Sequence, residues 1–217
     1  MESFDDLLKL AETAHGHLCA GQILGVRMAM LGCCRLDIKE PRGKDRKRLV
    51  TYVEIDRCAT DAIGVVTGCR LGKRALKFRD WGKMAATFVD LDSGRALRIA
   101  ALESSKGRAR ELYPEIENKN KQQMLAYREL PDKDLFSEEW VSVRIEQKEF
   151  PGYKGERIRC AECGEGISYE RFVERDGRIL CLACADPPTR YYQPLDSEVP
   201  EYAPMTVTMS GPRCDCP

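Results

Sequence analysis

Residues 83–102 read KMAATFVDLDSGRALRIAAL. Two apolar runs flank Asp92-Ser93-Gly94, a polar triplet ending in the glycine that a tight turn favours. The stretch predicts a β-hairpin, and a hairpin pairs its strands antiparallel. Outward from it, LVTYVEI (49–55) is rich in β-branched residues and predicts a strand, as does ALKFRD (75–80). VSVRIEQKE (141–149) alternates apolar and polar residues and predicts another. Helical patterns fill the rest. Phe4, Leu7, Leu8 and Ala11 share one face behind a Ser3 cap and the acids Asp5 and Asp6. QILGVRMAMLGCC (22–34) is apolar nearly all round, which predicts a buried helix with Cys33 and Cys34 in the core. In DRCATDAIGVVTGC (56–69) a strand ends, Thr60 or Asp61 can cap, and a short helix runs to a stop at Gly68. Two further helices are predicted near 104–113 and 115–130, punctuated by Pro114 and Pro131. This order of elements predicts an α+β fold with a mostly antiparallel sheet.

The chain has 217 residues, with 35 basic and 35 acidic side chains. Balanced charge argues against a general nucleic-acid or anionic-membrane binder. No apolar run reaches membrane-spanning length. The N-terminal MESFDDLLKL lacks the basic region of a secretory signal, so the expected location is the cytoplasm. Eleven cysteines in such a compartment point to metal rather than disulfides.

The composition divides the chain into a core domain over 1–150, a cysteine-rich module over 157–186 and a proline-rich extended tail over 187–217, with FPGYKGE (150–156) as linker. In the module, CAECGE supplies Cys160 and Cys163 and CLACAD supplies Cys181 and Cys184. Two residues between thiolates let the chain turn so that both sulfurs face one ion about 2.3 Å away. Between the pairs, ERFVERDGRIL predicts two short strands around an Asp176-Gly177 turn, which brings the second knuckle onto the first. The expectation is a zinc-ribbon-like module with structural zinc on four sulfurs; iron accepts the same donor set. A module this small needs the ion to fold, and it could also dock a protein partner.

The two histidines of the chain, His15 and His17, stand in AHGHLCAGQ with Cys19 two residues beyond. The segment lies between two predicted helices, and Cys58 lies at a predicted strand end. Both are places from which side chains can project into a shared cleft. His17, Cys19 and Cys58 are the candidate ligands, and candidate catalytic groups, of a second transition-metal site, with zinc favoured and a fourth position open. His15, Asp61 and Cys69 are candidates to surround it, Asp61 by accepting a hydrogen bond from an imidazole. Lys73 and Lys83 could hold an anionic ligand nearby, or be ordinary surface lysines.

HGHLCAGQILGVRMAM (15–30) followed by DRCATDAIGVVTGCRLGKRALKFRDWGKMAATF (56–88) resembles the formylmethanofuran dehydrogenase E-subunit family. The resemblance rests on His15, Gly16, His17, Cys19 and Gly21; on Cys58, Asp61 and Ala62; on Thr67, Gly68, Cys69, Gly72 and Lys73; and on Asp80, Gly82 and Lys83. Ala20 stands where the family pattern has proline. The resemblance covers roughly residues 10–100; the family takes its name from a component of the molybdenum or tungsten enzyme that fixes carbon dioxide as a formyl group, and some members look similar at the C-terminus too, with a four-cysteine finger. The resemblance implies the fold and the site more directly than that reaction.

Three functional readings follow. The chain is an accessory or stand-alone member of a molybdenum/tungsten one-carbon system with a core metal site, or a non-enzymatic carrier of metal or sulfur, or an interaction module docking through its finger. A homodimer is expected, because the hairpin offers a strand edge that pairing could cover. Cys214 and Cys216 near the C-terminus have no assigned role.

Overall fold

The predicted hairpin lies inside the sheet in the computed structural model, which describes residues 1–192. The chain divides into two compact units, 1–155 and 156–217. Cys214, Cys216 and the tail beyond residue 192 lie outside the described residues.

In the first unit, α1 (Phe4–His15) and α2 (Ala20–Arg35) precede β1 (Leu49–Val53). Then come α3 (Cys58–Thr67), β2 (Leu76–Phe78), β3 (Ala85–Asp90), β4 (Ala96–Ala101), α4 (Ser105–Leu112), α5 (Lys119–Glu129), α6 (Asp132–Leu135) and β5 (Phe136–Val141). The sheet order is β2-β1-β3-β4-β5. Only β1 and β2 pair parallel, because α3 is the crossover between them; the other pairs are antiparallel, with Phe88 opposite Leu97 in the hairpin. Strands β3 and β4 are each paired on both sides, so the sheet edges are β2 and β5. Any strand edge that pairing between copies could cover is therefore β2 or β5, not the hairpin.

Alternation sorts the sheet residues. Leu49, Val53, Ala86, Phe88, Leu97 and Ile99 face the helices and join Leu7, Ile23, Val26, Met28 and Ile63 in one core. Val50, Val89 and Ala96 face the other way. That outer face explains the one misplaced strand. Residues 143–149 form no ladder, because β4, the partner of β5, ends at Ala96 opposite Val141. The alternation of Val141, Val143 and Ile145 is real, but it serves to cover Val50 and Val89. The segment is fastened by Lys77, whose Nζ donates to the Glu149 carbonyl at 2.6 Å and to Oε2 at 2.9 Å.

Helix α1 starts as predicted, with the Asp6 N–H donating to Ser3 Oγ. Helix α3 starts earlier than predicted, at Cys58, and Thr60 uses its hydroxyl on the Ile55 carbonyl instead of capping. Along α2, Cys33 is fully buried but Cys34 is exposed, a correction to the all-round burial expected of it. Among the described residues no helix is long and apolar enough to cross a membrane.

Helix α2 is tied to the edge strand by Arg35, which donates to both carboxylate oxygens of Glu138 at 2.7 and 2.9 Å. The guanidinium holds the Glu138 carboxyl below its ordinary range. A carboxyl depressed on folding stabilises the native state above the unfolded value, roughly pH 4.3, and loses that contribution as pH falls through the folded value. Urea midpoints measured from about pH 6 down to about pH 3 should therefore fall less steeply in Arg35→Ala than in wild type. Equal slopes would show that the pair contributes nothing.

The second unit builds β6 (Ile158–Arg159), β7 (Gly166–Ile167), β8 (Phe172–Arg175), β9 (Arg178–Cys181) and α7 (Leu182–Ala185). The Asp176-Gly177 turn joins β8 to β9 as predicted. Among the described residues its buried cluster is Cys160, Ile167, Leu180 and Ala185.

Candidate metal centres

Two groups of metal-capable side chains converge among the described residues. In the finger, donor atoms of Cys160, Cys163, Cys181 and Cys184 all lie within 4.8 Å of one another. Sulfurs about 2.3 Å from a tetrahedral zinc are about 3.8 Å apart, and Cys163 Sγ lies 4.0 Å from Cys181 Sγ. The pairs meet because the Ala161 N–H donates to Ile179 O at 2.8 Å, placing the first knuckle on β9. The Cys181 N–H points at Cys160 Sγ from 3.3 Å, and that bond leads the effects that bring the Cys160 thiol down to about 6. Donor number and spacing both fit a tetrahedral ion.

The second group is His15, His17 and Cys19, again with one donor atom each inside 4.8 Å. Its geometry follows from how α1 ends and α2 begins. Gly16 takes φ +94° as the C-cap of α1, and its N–H donates to Glu12 O at 2.8 Å. That left-handed turn reverses the chain between the histidines, and their ring centroids come to 4.7 Å. Cys19 is the N-cap of α2. Its backbone carbonyl starts the helix, its side chain makes no capping bond, and it is 6% exposed. The Ala20 N–H reaches Asn120 Oδ1 of α5 at 3.4 Å, so α5 steadies this helix start.

His15 Nδ1 lies 2.8 Å from Asp61 Oδ2 on α3. This fixes the ring and directs the lone pair of its other nitrogen away from the carboxylate. His15 Nε2 and His17 Nε2 are both buried, with no hydrogen-bond partner among the described residues. A buried polar atom left without a partner costs about 1–3 kcal/mol. Two such atoms beside one thiol fit a cation.

Not every predicted site residue joins this group. Cys58 stands outside it, and His15 takes its place as third donor. Cys58 starts α3 against the first turn of α2. Gln22 Nε2 donates to its carbonyl at 2.6 Å, and a Cβ added at Gly21 would lie 3.2 Å from its Cβ and 3.7 Å from Cys19 Sγ. Its backbone is thus pinned to α2, while the histidines project from the turn before that helix. Cys69 is drawn into the core, where Thr51 Oγ1 donates to its sulfur at 3.6 Å and the sulfur faces Leu49 O at 3.5 Å. Burial raises its thiol pKa, which keeps it protonated and a poor ligand. Lys73 and Lys83 are exposed and outside the group, with the Lys83 ammonium 5.7 Å from the Trp81 ring centroid. Asp61 instead shares an open groove with Thr60, Cys69 and Arg70.

Sequence reasoning missed Gln22 and the glycines that let α2 approach its neighbours. The signal was present: Gly21, Gly25 and Gly32, at spacings of four and seven, fall on one helical face.

Comparison with known proteins bears on the finger and the fold. Residues 153–190 match a prokaryotic dksA/traR C4-type zinc finger. A "Probable S-adenosyl-L-methionine-binding protein" of Archaeoglobus fulgidus is 32% identical over 202 residues, covering 82% of this chain and 52% of that protein. The chain thus spans about half the length of that curated relative. The crystal structure of a tungsten formylmethanofuran dehydrogenase FmdE-like protein from Syntrophus aciditrophicus superposes with TM-score 0.59 at 20% identity, over 87% of this chain and 95% of that one. It shares the fold. Residues 14–137, more than half of the 217, match the family described as FmdE, molybdenum formylmethanofuran dehydrogenase operon, and the chain belongs to that family.

Proposed function

We propose that this chain is a two-centre metal protein. A transition ion, zinc by donor preference, sits on His15, His17 and Cys19 with a fourth position open, and zinc in the finger is structural. The observation that carries the core site is the pair of buried, partnerless imidazole nitrogens beside Cys19. An ion with three protein ligands acts as a Lewis acid on whatever takes its remaining position. The chain's own part is to hold that position. Asp61 fixes the His15 tautomer, and Cys19 is presented from the N-cap of α2.

The family's name supports an accessory role in molybdenum- or tungsten-dependent one-carbon chemistry. The thiolate-rich finger suits a reducing compartment, and we place the protein in the cytoplasm. We retain Cys58 as a neighbour of the site rather than a ligand.

Metal content per chain tests the proposal. Wild type should hold two equivalents, and His17→Ala or Cys19→Ser should hold one, with unchanged circular dichroism. A single equivalent, indifferent to His17 and lost only on changing Cys160 or Cys181, would leave the finger as the sole centre and favour the interaction-module reading.

A further inference from the structure

The four sulfurs of the finger do not have equal surroundings. Arg190 Nη2 lies 3.0 Å from Cys184 Sγ, and Arg190 Nε donates to Ala183 O at 3.0 Å. Two bonds from one rigid fork fix the guanidinium in place. The chain is built to deliver it. After Asp186, the 3-10 turn Pro187–Thr189 folds back, with the Thr189 hydroxyl donating to Asp186 O at 2.6 Å and the Arg190 N–H to Pro187 O at 3.1 Å. The finger match also ends at residue 190, four beyond Asp186, where the composition alone would end the module.

Cys160 and Cys163 have different surroundings among the described residues. Cys160 is 2% exposed and receives the Cys181 N–H. Cys163 is exposed; it receives the Glu165 N–H and faces the Glu165 carboxylate at 3.8 Å, with no guanidinium bonded to it among the described residues. The nearby Arg178 is committed to Glu162 at 2.7 Å. Four thiolates on a divalent ion carry excess negative charge. A cation at one sulfur lowers the electron density available there, and a carboxylate beside another does not.

We propose that Arg190 is a positioning residue of the finger's metal centre: its guanidinium guards the Cys184 thiolate, and Cys163 is the sulfur at which an electrophile opens the site. The proposal rests on the four-cysteine zinc reading, and the test separates the two. N-ethylmaleimide adds to a thiolate, a sulfur–carbon bond forming while the neighbouring carbon takes a proton from water, and that sulfur then leaves the ion. Full-length wild type, Arg190→Ala, Arg190→Gln and Arg190→Lys are treated with the reagent. Labelled cysteines are mapped by mass spectrometry, and zinc release to a chromogenic chelator is timed in parallel.

In wild type, Cys163 should be labelled first and Cys184 late. In Arg190→Ala and Arg190→Gln, Cys184 labelling and finger zinc release should quicken about tenfold, the low end of what outer partners of metal ligands contribute. Arg190→Lys should recover part of the protection, since an ammonium restores the charge without the second bond to Ala183 O. A variant isolated with its finger zinc already lost supports the proposal where Arg190→Lys retains it, and opposes it where Arg190→Lys has lost it too. Early labelling of Cys184 in wild type, or wild-type rates in Ala and Gln, overturns the proposal while leaving the zinc reading intact. Wild type without zinc on these cysteines overturns both.

Discussion

Gly25→Ala should lower the melting temperature of the core domain by about 4–8 °C, the shift that a loss of about 2 kcal/mol makes in a domain of this size. Intrinsic helix propensity predicts the opposite sign, since alanine is better than glycine inside a helix by about 1 kcal/mol. Packing reverses it. A Cβ on Gly25 would stand 2.5 Å from Ala59 O, 2.8 Å from Ala59 Cα and 2.8 Å from Ala62 Cβ. Two of those atoms are backbone, and neither can rotate out of the way. Helix α3 would have to withdraw, loosening Ala59, Ala62 and Ile63, each 2% exposed or less. Overpacking of this kind costs roughly 1–3 kcal/mol and sometimes more, so the clash outweighs the propensity gain. Gly107→Ala is the control. That position lies inside α4 with nothing within 4 Å of an added Cβ, and the same substitution should stabilise by up to about 1 kcal/mol. If Gly25→Ala melts at or above wild type, α2 and α3 are not in the close contact described. Helix α3 also carries Asp61, so on the proposed core site Gly25→Ala should weaken metal retention as well as stability.

The contrast between these glycines marks where sequence is legible. His15, His17 and Cys19 declare themselves because one chain turn holds all three. Asp61 is reachable by argument, since a carboxylate in the first turn of a helix near an imidazole has few better partners. Cys58 is harder to place, because a strand-to-helix junction fixes where a residue lies along the chain but not how closely its helix approaches a neighbour. Here the tilt of α3 is set by Gly21 and Gln22 on another helix, and a linear pattern does not encode that angle. Cys69 is hard to place for a related reason. It follows Gly68 at a helix end, an exposed place by pattern, yet Thr51 and Leu49 of β1 hold it in the core. The run of 141–149 shows the complement: period two is correctly seen in Val141, Val143 and Ile145, but the same period serves a covering segment as well as a paired strand. The finger was the easiest part, because four thiolates at fixed spacing need only one ion to define their positions in space.

Cys160→Ser should unfold the finger and leave the core domain folded. Cys160 is both a ligand and the centre of the module's small cluster with Ile167, Leu180 and Ala185. Serine offers a hard oxygen that stays protonated, so the ion loses a ligand and with it most of its affinity. In modules of this size the metal-binding free energy, roughly 10–16 kcal/mol for four-ligand zinc sites, is the folding free energy. Four buried residues cannot replace it. The first unit has its own core around Phe88, Leu97 and Ile23, each fully buried, and should keep its fold without the finger's ion. Amide hydrogen exchange resolves the two. In the variant, the Ala161 N–H bonded to Ile179 O and the β8–β9 ladder should exchange at unfolded-chain rates. The β3–β4 ladder, with Phe88 opposite Leu97, should keep its wild-type protection. Persistent protection at Ala161 would mean that the module folds without its ion, and zinc would then be a passenger on a preformed site. Loss of protection in β3 and β4 would mean that the two units share their stability.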